Sequence, residues 1–147
     1  MRLKVLIGLL SILGLAACSS LILQPGDFAW PIENVLKVDE KGMIEEKRYS
    51  FNLNVKQLFF AEFADSNSFK GKEVRLIRDK AGYYFMTGSG FKNVYVFIPV
   101  EAGLKLENKI LVSEFGLKSP IINQKSPNIE IIDGTNKYLL NSKGIVR

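Results

Sequence analysis

Tyr49-Ser50-Phe51-Asn52-Leu53-Asn54-Val55-Lys56 alternates apolar and polar residues without a break. Successive side chains on a strand point to opposite faces, so this run places its apolar groups on one side and its polar groups on the other. It predicts a half-buried β-strand. Upstream, Val35 to Val38 and Met43 to Arg48 flank Asp39-Glu40-Lys41-Gly42, a tetrad with turn chemistry, and a hairpin is expected there. Gln57 to Ala64 breaks the alternation, because Leu58, Phe59, Phe60 and Phe63 crowd it with large apolar groups. With Asn54 placed to cap it, this stretch reads as a short helix.

Downstream the strand pattern resumes. Glu73 to Arg78 and Tyr83 to Thr87 are joined through Asp79-Lys80-Ala81-Gly82, and Asn93 to Val100 follows a glycine-rich turn. Val94, Tyr95, Val96, Phe97 and Ile98 are apolar on both faces, the mark of a strand covered on both sides. Leu104 to Glu107 alternates again and continues through Lys109 to Ser113. Ile129 to Ile132 and Tyr138 to Leu140, joined by Asp133-Gly134-Thr135-Asn136, form a closing hairpin. Gly116 to Asn128, with Pro120 and Pro127, reads as the long loop. Some eight short strands and one short helix predict a mainly β fold, an antiparallel β-sandwich or a small β-barrel.

Composition narrows the chemistry. The 147 residues suit one domain, and a hydrophobic fraction of 47% is that of a globular chain. One cysteine excludes an intramolecular disulfide, and the absence of histidine excludes Ser/His and Cys/His nucleophilic pairs and His metal ligands. Lys and Arg are interspersed with Asp and Glu, the pattern of a solvated surface, and nucleic acid is not an expected partner.

The N-terminus is a targeting segment. Met1-Arg2-Leu3-Lys4 is a short positive region and Val5 to Gly14 an apolar one of secretory-signal length. Leu15-Ala16-Ala17-Cys18 then resembles the lipobox of bacterial lipoprotein signal peptides, a resemblance that covers the first eighteen residues. It implies cleavage between Ala17 and Cys18 and acylation of Cys18, which becomes the new N-terminus. The expected organisation is therefore a signal peptide over 1–17, a lipidated N-terminus and tether over 18–29 and one β-rich domain over 30–147. Loss of Arg2 and Lys4 leaves 18 cations against 15 acids, lowering the net charge from +5 to +3. At about 0.8 kcal/mol per buried methylene, two or three acyl chains hold a protein stably on a membrane. Ser19 is not the aspartate that retains such proteins at the inner membrane of enteric bacteria, so the resemblance favours the outer membrane, facing the periplasm.

The motifs that could carry catalysis fall short. Thr87-Gly88-Ser89-Gly90-Phe91-Lys92 lacks the ending of a phosphate loop, and its S-x-x-K spacing sits between strands where the penicillin-recognising enzymes need a helix. Glu45 and Glu46 are adjacent, and on a strand they diverge. Asp133-Gly134-Thr135-Asn136 has oxygen side chains but not the spacing of an EF-hand loop. No cofactor and no metal is expected.

Aromatic residues crowd the middle third, and adjacent rings such as Tyr83 and Tyr84 cannot both face one core. Tyr83, Tyr84 and Tyr95 are therefore the expected border of a binding surface. The function expected is non-enzymatic binding of an envelope protein, a glycan or a small apolar ligand. The alternatives are a small envelope hydrolase using convergent Asp and Glu residues and a structural subunit of an envelope complex. The lipid anchor is checked by detergent-phase partitioning and intact mass: the wild-type chain is expected to carry acyl mass on Cys18, and Cys18→Ala to lose both the acyl mass and the partitioning.

Overall fold

Two turns built from the same Asp-x-x-Gly pattern organise the first half of the chain, and they do so with different results. At Asp79 the side chain accepts the backbone N–H of Tyr83 (2.8 Å), while the Asp79 N–H donates to the Tyr83 carbonyl and the Gly82 N–H to that of Asp79. The turn joins β4 (Glu73–Arg78) to β5 (Tyr84–Thr87), which pair in register as Arg78 with Tyr84 and Leu76 with Met86. Asp39 makes the same bonds with Met43 and Gly42, and its side chain also accepts the Lys41 N–H. Here, however, the flanking strands part. β1 (Asn34–Lys37) pairs with β4, while β2 (Met43–Glu46) pairs with β3 (Phe51–Asn54). The hairpin expected between the strands flanking Asp39 does not form. The turn supplies its bonds at Asp39 and Met43, and burial of Leu36 and Val38 beside β4 then outweighs continuing the pairing.

The computed structural model describes residues 32–147, so the expected signal segment, lipobox, Cys18 and the whole tether lie outside the described residues. The remaining strands are β6 (Asn93–Val100), β7 (Gly103–Leu111), β8 (Ile121–Lys125), β9 (Asn128–Asp133), β10 (Asn136–Asn141) and β11 (Gly144–Ile145), with one helix, α1 (Lys56–Phe63). They form a five-stranded antiparallel sheet in the order β1-β4-β5-β6-β7, a four-stranded sheet in the order β11-β10-β9-β8, and the β2-β3 ribbon. The fold is mainly β and sandwich-like, and the sheets do not close into a barrel. Among the described residues no helix is long and apolar enough to cross a membrane.

The five-stranded sheet is buried on both faces. One face presents Val74, Leu76, Tyr84, Met86 and Tyr95 to a core closed by Ile44, Val55, Leu58 and Phe59 of the β2-β3 ribbon and α1. The other presents Ile77, Phe85, Val94, Val96 and Ile110 to Ile122, Ile129, Ile131 and Leu140 of the four-stranded sheet. This is the two-sided covering that the Val94 to Ile98 run predicts. Its physical cause is the alternation of Val94 and Val96 toward one core with Tyr95 and Phe97 toward the other. Glu33 ties the sheets at their junction. Its carboxylate accepts from the Arg75 guanidinium on β4 and from the Ile122 backbone N–H on β8 (2.8 Å). One residue earlier, Ile32 bridges to Asn123 of β8.

Three further expectations are corrected. The stretch from Gly116 to Asn128 is not one long loop, because Ile121–Lys125 forms β8, an edge strand paired along one side with β9. Pro120 and Pro127 stand just outside its ends, where a missing N–H costs no ladder bond. The alternating run yields a strand of only four residues, Phe51–Asn54. Tyr49 and Ser50 belong to the turn from β2, with Ser50 at φ 55°, and Val55 already occupies the helix N-cap. Among the described residues the strands number eleven, and β8 and the two-residue β11 are those that the sequence pattern does not predict. The short helix forms one residue earlier than expected. Asn54 accepts the Lys56 N–H at 3.1 Å, while the cap position itself is Val55.

β7 carries a bulge. Val96 pairs with Asn108 and Phe97 with Leu106, which leaves Glu107 without a partner opposite. The bulge keeps both Leu106 and Lys109 on the face that looks toward α1, opposite Phe97 and Tyr95.

Phe85 sits at the centre of the second core and is wholly buried. Phe85→Ala is expected to cost about 3–5 kcal/mol of folding stability, read from urea unfolding.

Candidate functional site

A cleft of about 320 Å³ opens where α1 and β3 lie over β6 and β7. Its floor is the inner face of the five-stranded sheet, contributed by Met86, Tyr95 and Phe97. One wall is β3 and α1, with Leu53, Val55, Leu58 and Ala61, and the other is β7, with Leu104 and Leu106. Val55, Leu58, Met86 and Tyr95 are buried, whereas Asn54, Gln57, Ala61 and Leu106 are exposed and form the rim. The cleft is thus an apolar slot with a wet mouth, the general form of a small-ligand site.

Local structure explains why the slot is there. α1 is only eight residues long and carries two buried side chains, Leu58 and Phe59. A helix this short is marginal alone, so tertiary contacts must hold it. Phe59 packs edge-on against Phe91 (5.1 Å between centroids), and Phe63 against the same ring (5.6 Å). At the C-terminal end the Glu62 carboxylate accepts from the Lys92 backbone N–H (2.8 Å) and from Asn93 Nδ2 (2.7 Å). The C-terminal half of α1 is therefore pinned to the β5-β6 turn, while the Gln57, Leu58 and Ala61 side stands over the slot.

That turn is in its turn held by backbone contact with the loop after β7. Leu117 N–H donates to the Phe91 carbonyl (2.8 Å) and Gly90 N–H to that of Leu117 (2.6 Å). A Cβ on Gly116, whose φ is +85°, would lie 2.7 Å from the Gly90 carbonyl oxygen, so only glycine fits. Ser89 and Lys92 are exposed within this turn, with no helix beneath them.

Tyr95 is the polar group of the floor. It is 3% exposed, and its hydroxyl is enclosed beside the Glu62 carboxylate. Burial first, then the hydrogen bond and the negative charge of Glu62, push its pKa well above the ordinary value of 10.0 and keep it a neutral donor. Its ring stacks on Phe97 (6.4 Å) and lies under the Lys109 ammonium (5.6 Å). Tyr84 is 5% exposed, and burial raises its pKa as well, against the opposing pull of Arg78.

The three tyrosines read from the sequence do not form a row. Tyr84 and Tyr95 face the core under the helix and ribbon, while Tyr83 is partly buried against the opposite core. Of the three, Tyr95 lines the slot. The acids do not converge either. Glu46 is fully buried and accepts from Asn34 Nδ2 and from the Arg48 N–H (2.8 Å), while Glu45 is exposed. Asp133 accepts from the backbone N–H groups of Lys118 and Ser119. Among the described residues no three Cys, Asp or Glu side chains cluster as metal ligands.

Sequence reasoning missed the slot, because it is made by α1 and β7, which are more than forty residues apart. It also missed Glu62, whose role depends on a turn thirty residues away. No protein-family model, curated protein or solved structure matches this chain.

The two raised tyrosine pKa values make stability depend on alkaline pH. Above pH 10.0 the unfolded chain releases these protons while the folded one retains them, so their contribution is complete below that pH and declines above it. Urea unfolding is expected to show stability falling as pH rises beyond 10, with a shallower fall in Tyr95→Phe.

Proposed function

We propose that this chain is a lipid-anchored envelope lipoprotein whose β domain works by binding, and that the slot between α1 and β7 holds a small apolar ligand. The single observation that carries the binding half is the aliphatic lining of the slot over a floor fixed by sheet hydrogen bonds. Rigid walls spare a ligand the cost of ordering its own site. An apolar group that moves from water to such a lining gains about 25 cal/mol per Å² buried. The lipobox carries the anchor half, and the outer membrane, facing the periplasm, is the proposed location.

The acids support binding over hydrolysis. Glu33, Glu46, Glu62 and Asp133 each accept hydrogen bonds that join separate segments, and none of them lines the slot. A hydrolytic pair needs two carboxyl groups about 5–9.5 Å apart with a substrate between them, and these four act instead as structural clasps. From Cys18 to Ile32 is fourteen residues, at most about 50 Å of extended chain, so the slot would work close to the membrane surface.

The reading is tested with the full chain in lipid nanodiscs and an alkyl-diazirine photoprobe. Saturable labelling of peptides from α1 and β7 is expected. Ala61→Trp, which fills the slot from its rim, is expected to abolish that labelling without lowering the melting temperature. Labelling that does not saturate, or that Ala61→Trp leaves unchanged, removes the binding reading.

A further inference from the structure

Lys109 stands on the slot side of the sheet only because β7 is bulged. On a regular strand Leu106 and Asn108 would share a face, and Lys109 would point away from it. The extra residue, Glu107, reverses that order. Asn108 instead reaches the β10-β11 turn, where its Nδ2 donates to the Ser142 carbonyl (3.0 Å), and Ile110 enters the core on that same side. Lys109 turns the other way. It pairs across the strands with Tyr95, a residue of the slot floor, and its ammonium stands 5.6 Å from the centroid of that ring.

The slot face of β7 therefore carries Leu104, Leu106 and Lys109 in a row, opposite Pro99, Phe97 and Tyr95 of β6. The row runs about 13 Å, the rise of the four steps from Tyr95 to Pro99 at ~3.3 Å each. It is apolar along its length and cationic at one end. No acid lines the slot, and among the described residues Lys109 makes no ion pair. Glu62 lies outside the lining, with its carboxylate accepting from the Lys92 N–H and the Asn93 amide. Lys56, the other cation beside the slot, holds its ammonium over the ring of Phe69, which is not part of the lining (5.6 Å). An ammonium at the edge of an apolar cleft is screened less than one in open water, so the charge of Lys109 is felt at that end of the row.

We propose that the slot binds a single-chain amphiphile with a monoanionic head, its alkyl tail laid along Leu106 and Leu104 and its head paired with the Lys109 ammonium. The proposal rests on the apolar-ligand reading of the same slot and adds the charge of the head group and the direction in which the ligand lies. Leu106 is 48% exposed, and the tail covers it. One ammonium balances one negative charge, a chemistry shared by the carboxylate of a fatty acid and the phosphodiester of a lysophospholipid. An uncharged ester gains the burial of its tail and nothing from Lys109. Lys109 is then a specificity residue, set in place by the bulge.

Three photoprobes with the same diazirine-tailed chain test this: a fatty acid, a lysophosphatidylglycerol and a monoacylglycerol. Each is applied to the full chain in zwitterionic lipid nanodiscs at mildly alkaline pH, where the carboxylate is ionised. An anionic probe is expected to label α1 and β7 peptides at a concentration roughly three- to tenfold lower than the monoacylglycerol, and raised salt should narrow the gap. Lys109→Met keeps an apolar stem and removes the charge, so it should abolish the gap by weakening the anionic probes alone. Lys109→Glu should reverse it. The monoacylglycerol, unchanged across these variants, reports that slot and fold are intact. An advantage for the fatty acid alone assigns the head as a carboxylate, and one for the lysophospholipid alone as a phosphodiester. If the monoacylglycerol labels as well as both anions, or if Lys109→Met leaves the gap in place or weakens all three probes alike, the head-group proposal falls while the apolar slot stands. If no probe labels saturably, both fall.

Discussion

A β-sheet with apolar side chains on both faces cannot stand against water on either, and the five-stranded sheet of this protein is of that kind. Val94 and Val96 point one way and Tyr95 and Phe97 the other, so β6 demands a cover on each side. The chain supplies two unlike ones. The four-stranded sheet closes the first face, where Ile122, Ile129, Ile131 and Leu140 pack against Phe85, Val94 and Val96. The β2-β3 ribbon and α1 together close the other, but they leave Leu106 of the far strand exposed. The slot lies where this second cover runs out, between α1 and β7. Its position follows from a mismatch of widths.

The same constraint explains which parts of the fold were legible in the sequence. Period-two alternation and runs apolar on both faces report local burial, so β4, β5, β6, β9 and β10 stand close to where their patterns place them. Partnership between strands is not local. Asp39 and Asp79 initiate turns with the same bonds, yet one closes a hairpin and the other sends its strands to separate sheets, because the buried partner of Leu36 is Val74, far along the chain. β8 was hidden for a different reason. Its two prolines signal a loop when read by type, and only the pairing with β9 reveals that both lie outside the ladder.

Little of the site could be read in advance, and Tyr95 shows why. Its sequence neighbours mark it as one ring among many in an aromatic-rich third. What distinguishes it is a hydroxyl enclosed beside Glu62, which α1 brings in from another part of the chain. Such a neighbour leaves no trace in residue order. The proposed N-terminal lipobox is the opposite case, a resemblance carried wholly by consecutive residues.

The layering also bears on how such a domain changes over evolutionary time. Substitutions on opposite faces of one sheet have few shared neighbours, and effects of well-separated sites add without coupling. Leu53, Ala61 and Leu106 belong to the slot's walls and rim, whereas Phe85, Ile122 and Ile131 fill the opposite core. Drift among the first group can reshape the slot while the second group keeps the stability reserve intact. The five-stranded sheet thus acts as a partition between a face free to diversify and a face under constraint, and lineages carrying this fold would differ first along α1 and the bulged half of β7.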